Sequence, residues 1–384
     1  VLEKIVAAQA HHKKIDGHAP GLQGKDLDTY VAAGVYSDHE CATMEDALAK
    51  LQRGQFIMIR EGTAARNLEA LAPLLTPQYA ERCMFCTDDK HPSDLLEKGH
   101  IDYIAREAIN KYGVDPIIAV KAACHHASRY FLLNNRGAIA PGYLADFAVI
   151  DNFKDFNVEM VFKKGILYWN NGELRDFEAP KIEEYLDKRA HDTFHVSTLT
   201  PDDFRDTRQR GVLGMVPGEI ITTDNGYADH VDLEKDILKI AVVERHGRNG
   251  HVAVGIVSGI GLRGGAIGST IAHDSHNMIL VGDNDEDMLA AARELQRCQG
   301  GYTLVAGGKP LLTQPLPVGG LFTNDRRQDV EKTVEQMKEM ARGMGVRGDI
   351  DPFMTLSFLS LPVIPELRII DAGIYDVTAG ELVH

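Results

Sequence analysis

The chain has 384 residues, of which 44% are hydrophobic and 25% charged; that is too long for one ordinary core and leads to an expectation of two or three domains of ~100 to 200 residues each. No apolar run approaches the ~20 residues that a membrane helix needs, and 56 acidic against 41 basic residues give a formal charge of -15, which speaks against a nucleic-acid groove built on clustered Lys and Arg. Five cysteines, at 41, 83, 86, 124 and 298, are odd in number and scattered, so reduced thiols in a cytoplasmic protein are expected rather than a disulfide framework.

Val1 to Lys14 reads as a helix with Leu2, Ile5, Val6 and Ala10 on one face. It lacks a capping residue and starts on Val rather than Met, so the expectation is a chain that begins in mid-domain. Ile15 to His18 is a short strand ending on a lone imidazole, with Pro20 and Gly21 close behind it. Lys25 to Ala33 carries apolar residues at helical spacing, and the next strand-like run, at Val35 and Tyr36, leads into Asp38, His39 and Glu40. Thr43 is an N-cap, with Asp46 at the third helical position, for a helix over Met44 to Leu51,. Gln55 to Arg60 is a strand, Ala65 to Leu75 a helix stopped by Pro77, and Cys83 to Thr87 a strand closing on Asp88 and Asp89,. Helical stretches at Leu95 to Lys111 and Ile117 to Tyr130 follow. Strand, ligand and helix in repetition are the grammar of a (β/α) barrel whose C-terminal strand ends share one site.

The character changes near Gly137. Short strands at Phe147 to Ile150, Val158 to Phe162 and Ile166 to Trp169, joined by Gly and Asn turns, indicate an antiparallel β unit over 131–177,. Residues 178–200 are charged and weakly periodic and read as a connector. From 201 to 384 a separate α/β domain is expected. It has strands at Ile237 to Glu244, His251 to Val257, Met278 to Val281, Tyr302 to Ala306 and Pro310 to Leu316, and helices at Glu286 to Gln299 and Val330 to Arg342.

Three strand ends carry the chemistry. A divalent metal that activates water needs neutral imidazoles and carboxylates within about 2.0–2.2 Å of the ion and one open position. His18, His39 and Asp88 would supply that set, and Asp88 could also take the proton from the water as the catalytic base. Glu40 follows His39 directly and on a continuing strand would face the other way, so it is a candidate to orient the substrate or a ligand. Cys83 and Cys86 have C-x-x-C spacing, but inside an apolar strand they read as small buried residues. Gly259, Gly261 and Gly264 spell G-x-G-x-x-G without a βαβ context, a weak dinucleotide signal. The polar run from His273 to Asn277 is either a hydrogen-bonded turn or a polar wall whose Ser275, His276 and Asn277 bind substrate.

Several segments resemble adenine deaminases of the amidohydrolase superfamily: Ile15 to Gly21 (IDGHAPG), Ala33 to Glu40 (AGVYSDHE), Ile59 to Arg66 (IREGTAAR) and Cys86 to Asp89 (CTDD) look like that family's later barrel strands. Gly137 to Asp151 resembles its returning β-sandwich segment, and Glu244 to Gly247 (ERHG), Gly265 to Asn277 and Phe353 to Pro365 resemble its C-terminal domain. The resemblance implies the second half of a TIM-like (β/α)8 barrel over 1–130, part of a β-sandwich, and a C-terminal α/β domain. It implies hydrolytic deamination of adenine to hypoxanthine and ammonia on a binuclear centre, with Mn expected and Fe or Zn as alternatives. His18 and His39 match metal ligands of the fifth and sixth strands, and Asp88 the eighth-strand aspartate. The family's first-strand His-x-His pair and its fourth-strand acidic bridge have no counterpart here, so the implied partner is an upstream barrel half that brings them. The alternatives are another hydrolase acting on a purine or cyclic amide, or a non-catalytic subunit. A small-molecule substrate, adenine, and a homo-oligomer are expected, with no nucleic acid and no membrane.

Overall fold

Four short extended segments, each leading into a polar or charged group, become parallel strands. β1 (Ile15–Gly17), β2 (Val35–Asp38), β3 (Phe56–Arg60) and β4 (Cys83–Cys86) lie side by side in chain order, with Gly17 opposite Asp38, Asp38 opposite Ile57, and Arg60 opposite Cys86. Ile57, Met58, Ile59 and Arg60 of β3 are all buried, as befits an inner parallel strand covered on both faces. The computed structural model describes residues 2–63, 65–178, 180–205, 210–216 and 220–383. They divide into two compact units, Val1–Ala179 and Pro180–His384.

In the first unit, helices α1 (Leu2–Ala10), α2 (Gly24–Ala32) and α3 (Met44–Gln52) alternate with the strands. The Thr43 side chain accepts from the Asp46 backbone N–H, which satisfies one of the donors orphaned at the start of α3,. The expected helix over 65–75 is shorter: a single turn at Leu68–Leu71 passes into a 3-10 turn, Ala72–Leu74. Pro73 brings no N–H and cannot continue an α-helical ladder. The stretch 95–111 is two helices, Pro92–Glu97 and Ile101–Asn110, divided at Gly99, whose φ of 106° leaves the helical region,. A π turn at Lys121–His125 interrupts the last helical stretch, between Pro116–Val120 and His126–Tyr130. The core gathers Ile57, Ile59, Leu68, Leu71, Phe85, Ile104 and Ala119.

The same unit carries an antiparallel meander, β5 (Phe147–Ile150), β6 (Val158–Lys163), β7 (Ile166–Asn170) and β8 (Glu173–Leu174). Its two tight turns put Lys164 and Gly165, then Asn171 and Gly172, at positive φ. Two such residues in a row are the backbone of a hairpin turn that follows the right-handed strand twist.

The second unit is organised on an eight-stranded sheet in the order β10-β9-β12-β11-β14-β13-β15-β16. Its strands are β9 (Arg210–Met215), β10 (Thr222–Ala228), β11 (Ile237–Val243), β12 (Val252–Ser258), β13 (Ala266–Ser269), β14 (Met278–Gly282), β15 (Gly301–Ala306) and β16 (Lys309–Pro315). Asn284 caps the helix Asp285–Arg297 by accepting from the Asp287 N–H, and three acidic residues sit in its positive first turn,. Residues 178–200 are more than a tether. They contain the helix Glu184–His191, and Phe194 and Leu199 are buried in a core with Ala241, Leu280 and Leu295. The glycines at 259, 261 and 264 turn β12 into β13, and no helix follows them. A Cβ at Gly261 would stand 2.5 Å from the Gly345 carbonyl, so close backbone approach, not a phosphate, accounts for it. Burial pushes both Cys83 and Cys86 thiols up to about 12, so neither is a reactive thiolate,. No helix among the described residues is long and apolar enough to cross a membrane.

Ile59 is fully buried in the first unit's core, in one cluster with Ile57, Leu71 and Ile104. Ile59→Ala is expected to lower unfolding stability by about 3 kcal/mol, read from the urea midpoint of the first unit at constant slope; a loss near zero would mean that the core closes over the cavity.

Candidate active site

Each of the four parallel strands delivers a polar group at its C-terminal end. His18 follows β1, His39 and Glu40 follow β2, Arg60 closes β3, and Asp88 lies two residues beyond β4. The rings of His18 and His39 meet edge to face with centroids 4.6 Å apart. Between them sits the Glu40 carboxylate, its Oε1 3.2 Å from His18 Nδ1 and 3.5 Å from His39 Nε2. Each of these three residues offers one ligand atom, and those atoms lie within 4.8 Å of one another.

On a continuing strand Glu40 would point away from His39, because neighbours on a strand alternate. β2 ends at Asp38, so alternation no longer applies and the backbone turns both side chains to the same place. Asp88 is not within the three-residue group. It adopts a left-handed φ of 54° beyond the end of β4, and its Oδ2 accepts from Arg60 Nη1 at 2.9 Å. The other arm of the same guanidinium, Nη2, donates to Glu40 Oε2 at 2.9 Å, while Arg60 Nε donates to Asn67 Oδ1 at 2.7 Å. Asp88 is therefore joined to the histidine group through one shared cation.

Arg60 is the residue that sequence reasoning did not single out, although the signal was there: it ends an apolar strand with a charge just as His18 does. At 5% exposure, its guanidinium is one that only paired carboxylates make tolerable. Burial by itself would raise the Glu40 carboxyl, but the His18 hydrogen bond, the Arg60 charge and His39 overcome it and hold the group at about 2. Glu40 is consequently an anion through the whole working pH range.

Two imidazoles and an ionised carboxylate are a donor set suited to a divalent cation. His39 also leaves its Nδ1 buried with no hydrogen-bond partner, 3.9 Å from Asp16 Oδ2, and an orphaned imidazole nitrogen in a carboxylate-lined group fits a metal site.

Ser275, His276 and Asn277 belong to the second unit and lie in the turn before β14. The Ser275 carbonyl accepts from His246 Nε2 at 2.8 Å, and its hydroxyl oxygen accepts from the Asn277 N–H. Asn277 is buried, and its Oδ1 accepts from the Arg245 N–H. His276 stands at a φ of 50° with its Nδ1 lacking a hydrogen-bond partner. The hydrogen-bonded turn read from the sequence is thus present, with one ring nitrogen left over.

Comparison with known proteins follows the same division. Residues 1–167 match the amidohydrolase family, and residues 219–381 match the adenine deaminase C-terminal domain. The chain is 44% identical to "Adenine deaminase" of Nitratidesulfovibrio vulgaris (strain DP4) over 98% of its own length and 66% of that protein's. It is 42% identical to "Adenine deaminase 2" of Carboxydothermus hydrogenoformans over 100% of its length and 68% of that protein's. The chain belongs to the adenine deaminase family. It spans 66% of the length of the Nitratidesulfovibrio relative, and its first unit matches the amidohydrolase family and is of α/β type. Among solved structures, a β-aspartyl dipeptidase from Fervidobacterium islandicum AW-1 covers 46% of the chain and 56% of its own, at 17% identity and a TM-score of 0.37.

In this adenine deaminase family member, Arg60→Met removes the cation that Glu40 and Asp88 share. Because the folded-state value of Glu40 lies below its ordinary 4.5, the group adds stability that is complete above that pH and is lost as pH falls toward about 2. The variant is expected to show the Glu40 carboxyl titrating above its wild-type value in a carbon-detected NMR titration, with a flatter loss of stability on acidification. An unchanged titration would mean that the two imidazoles alone hold the charge.

Proposed function

We propose that the chain carries out hydrolytic deamination of adenine to hypoxanthine and ammonia, on a site held by His18, His39 and Glu40 with Asp88 as proton acceptor. The observation that carries the reading is the convergence of these groups at the C-terminal ends of successive parallel strands, the end at which barrel enzymes place their chemistry. Family membership supplies the substrate: both relatives are named adenine deaminases. We read β1 to β4 with their helices as the later strands of a TIM-like barrel, and β5 to β8 as its β-sandwich segment.

His18, His39 and Glu40 would hold a divalent metal, for which manganese in a binuclear centre is our assignment by family resemblance. When bound, such a metal supplies the Lewis acidity that lets water attack a purine carbon at neutral pH. The chain's own residues do the rest. Glu40, kept anionic by Arg60, brings a full negative charge between the imidazoles. Asp88 is about one-third exposed, at 31%, which leaves a carboxylate oxygen in reach of solvent to take the attacking water's proton and pass it toward the departing amino group. The ring carbon gains the water oxygen as its bond to the amino nitrogen breaks, and the nitrogen leaves as ammonia. Arg60 holds Asp88 in place and keeps its charge balanced between proton transfers.

Three measurements on the full protein test this. His18→Asn and His39→Asn are expected to bring metal content by mass spectrometry to background while the circular dichroism spectrum is kept. Asp88→Asn should cut adenine turnover by about 10²–10⁴-fold, the range for loss of a general base, with metal retained, whereas Asp89→Asn leaves turnover measurable. Equal loss from both aspartates would remove Asp88 from the role of base.

A further inference from the structure

Beneath the candidate site lies a second group of ligand-capable side chains, Asp38, Cys41 and Asp46, all buried. Its donor set would suit a cation, and a cation from the chain already fills it. Lys50, on α3 and with no exposed surface, sends its ammonium to Asp38 Oδ2 at 2.8 Å, Asp46 Oδ2 at 2.9 Å, the Ala19 carbonyl at 2.6 Å and Cys41 Sγ at 3.5 Å. The other oxygen of Asp38 accepts from the Ala19 N–H at 3.2 Å, and the Cys41 thiol donates to Asp38 Oδ2 at 3.1 Å.

Three of the four residues touching this ammonium are immediate chain neighbours of the site residues. Ala19 follows His18, Asp38 precedes His39, and Cys41 follows Glu40. Ala19 is held through both its N–H and its carbonyl, so the loop after β1 has little freedom to slide against the end of β2. Asp46, the fourth partner, sits within α3 and neighbours none of the site residues. Burial disfavours a charged lysine, but the Asp38 and Asp46 carboxylates more than offset it and raise its proton affinity, so the ammonium stays charged.

We infer that Lys50 is a positioning residue for the candidate metal site: its ammonium, through Ala19, Asp38 and Cys41, sets the separation of the His18 and His39 imidazoles and the placing of Glu40 between them. The inference rests on the metal reading above for its consequence, not for its geometry. Partners that orient ligands from behind typically change metal affinity by about 10–100-fold when removed.

The test sets Asp38→Asn against Asp46→Asn in the full protein. Each variant leaves Lys50 one carboxylate, so each retains a balanced buried pair and is expected to fold. Two quantities are read: the dissociation constant for Mn²⁺, and the imidazole ¹⁵N resonances of His18 and His39 in metal-free protein, assigned through His18→Gln and His39→Gln. Asp38→Asn should weaken Mn²⁺ binding by about tenfold or more and shift both imidazole signals, while Asp46→Asn keeps the wild-type values of both. Lys50→Met, if it folds, should behave as Asp38→Asn does. A merely structural role for Lys50 moves stability alike in both aspartate variants and moves neither readout; that result overturns the inference. If the wild-type protein takes up no Mn²⁺, the metal reading fails by itself, and the imidazole signals of the two variants still decide whether the clamp positions the rings.

Discussion

A carboxylate taken out of water must be given a cation or donors to keep its charge, and the candidate site is built on how this chain meets that requirement twice within a few residues. Glu40 and Asp88 share the guanidinium of Arg60. Asp38 and Asp46, a layer below, share the ammonium of Lys50. The choice of cation fits each place. A planar guanidinium presents two diverging N–H arms and can serve carboxylates arriving from two different strands. An ammonium is a compact point charge whose three N–H donors can serve partners arriving from different directions in a closed pocket. Loss of the Lys50 ammonium would leave the buried Asp38 and Asp46 carboxylates without a cation, a situation far costlier than the absence of the whole group.

The second unit uses buried charge in another way, to collect backbone groups that its loops leave without partners. Arg245 is almost wholly enclosed and donates to the carbonyls of Thr193, His276 and Gly319. Arg368 does the same for Ile220, Phe358, Ile364 and Pro365. Burial lowers both guanidinium groups to about 10, and they remain protonated at neutral pH all the same. Glu244 is the mirror image: its carboxylate accepts from the N–H groups of His246, Arg248, Asn249 and Gly250, and so shapes the turn between β11 and β12. The polar turn at His273 to Asn277 is tied to the same framework through Arg245 and His246.

Local rules were sufficient wherever the relevant contact is short in sequence. The cap of Thr43 on Asp46, the paired positive-φ residues of the meander turns, the acidic first turn of the helix Asp285–Arg297 and the apolar run of β3 are all settled within a few residues. They could be read because backbone donors, helix dipoles and side-chain periodicity act over one or two turns. An unbroken helix drawn through Gly99 carried a local rule past its range, and strand alternation does not reach Glu40, because β2 ends at Asp38.

What the sequence determined by itself is the delivery: four short extended segments, each leading into a polar group, make four parallel strands whose C-terminal ends carry His18, His39, Arg60 and Asp88, because extended conformation and chain-breaking turns are properties of short segments. What only the tertiary structure decided is the pairing. His18 meets Glu40 across 22 positions and Arg60 meets Asp88 across 28, and Lys50, in the last turn of α3, is buried against Asp38 and Asp46. Those contacts depend on strand register and on how far each backbone turns after its strand ends. No pattern along the chain encodes either, since both are fixed by the packing of elements against one another and by the need of every buried carboxylate for a cation or hydrogen-bond donors within reach.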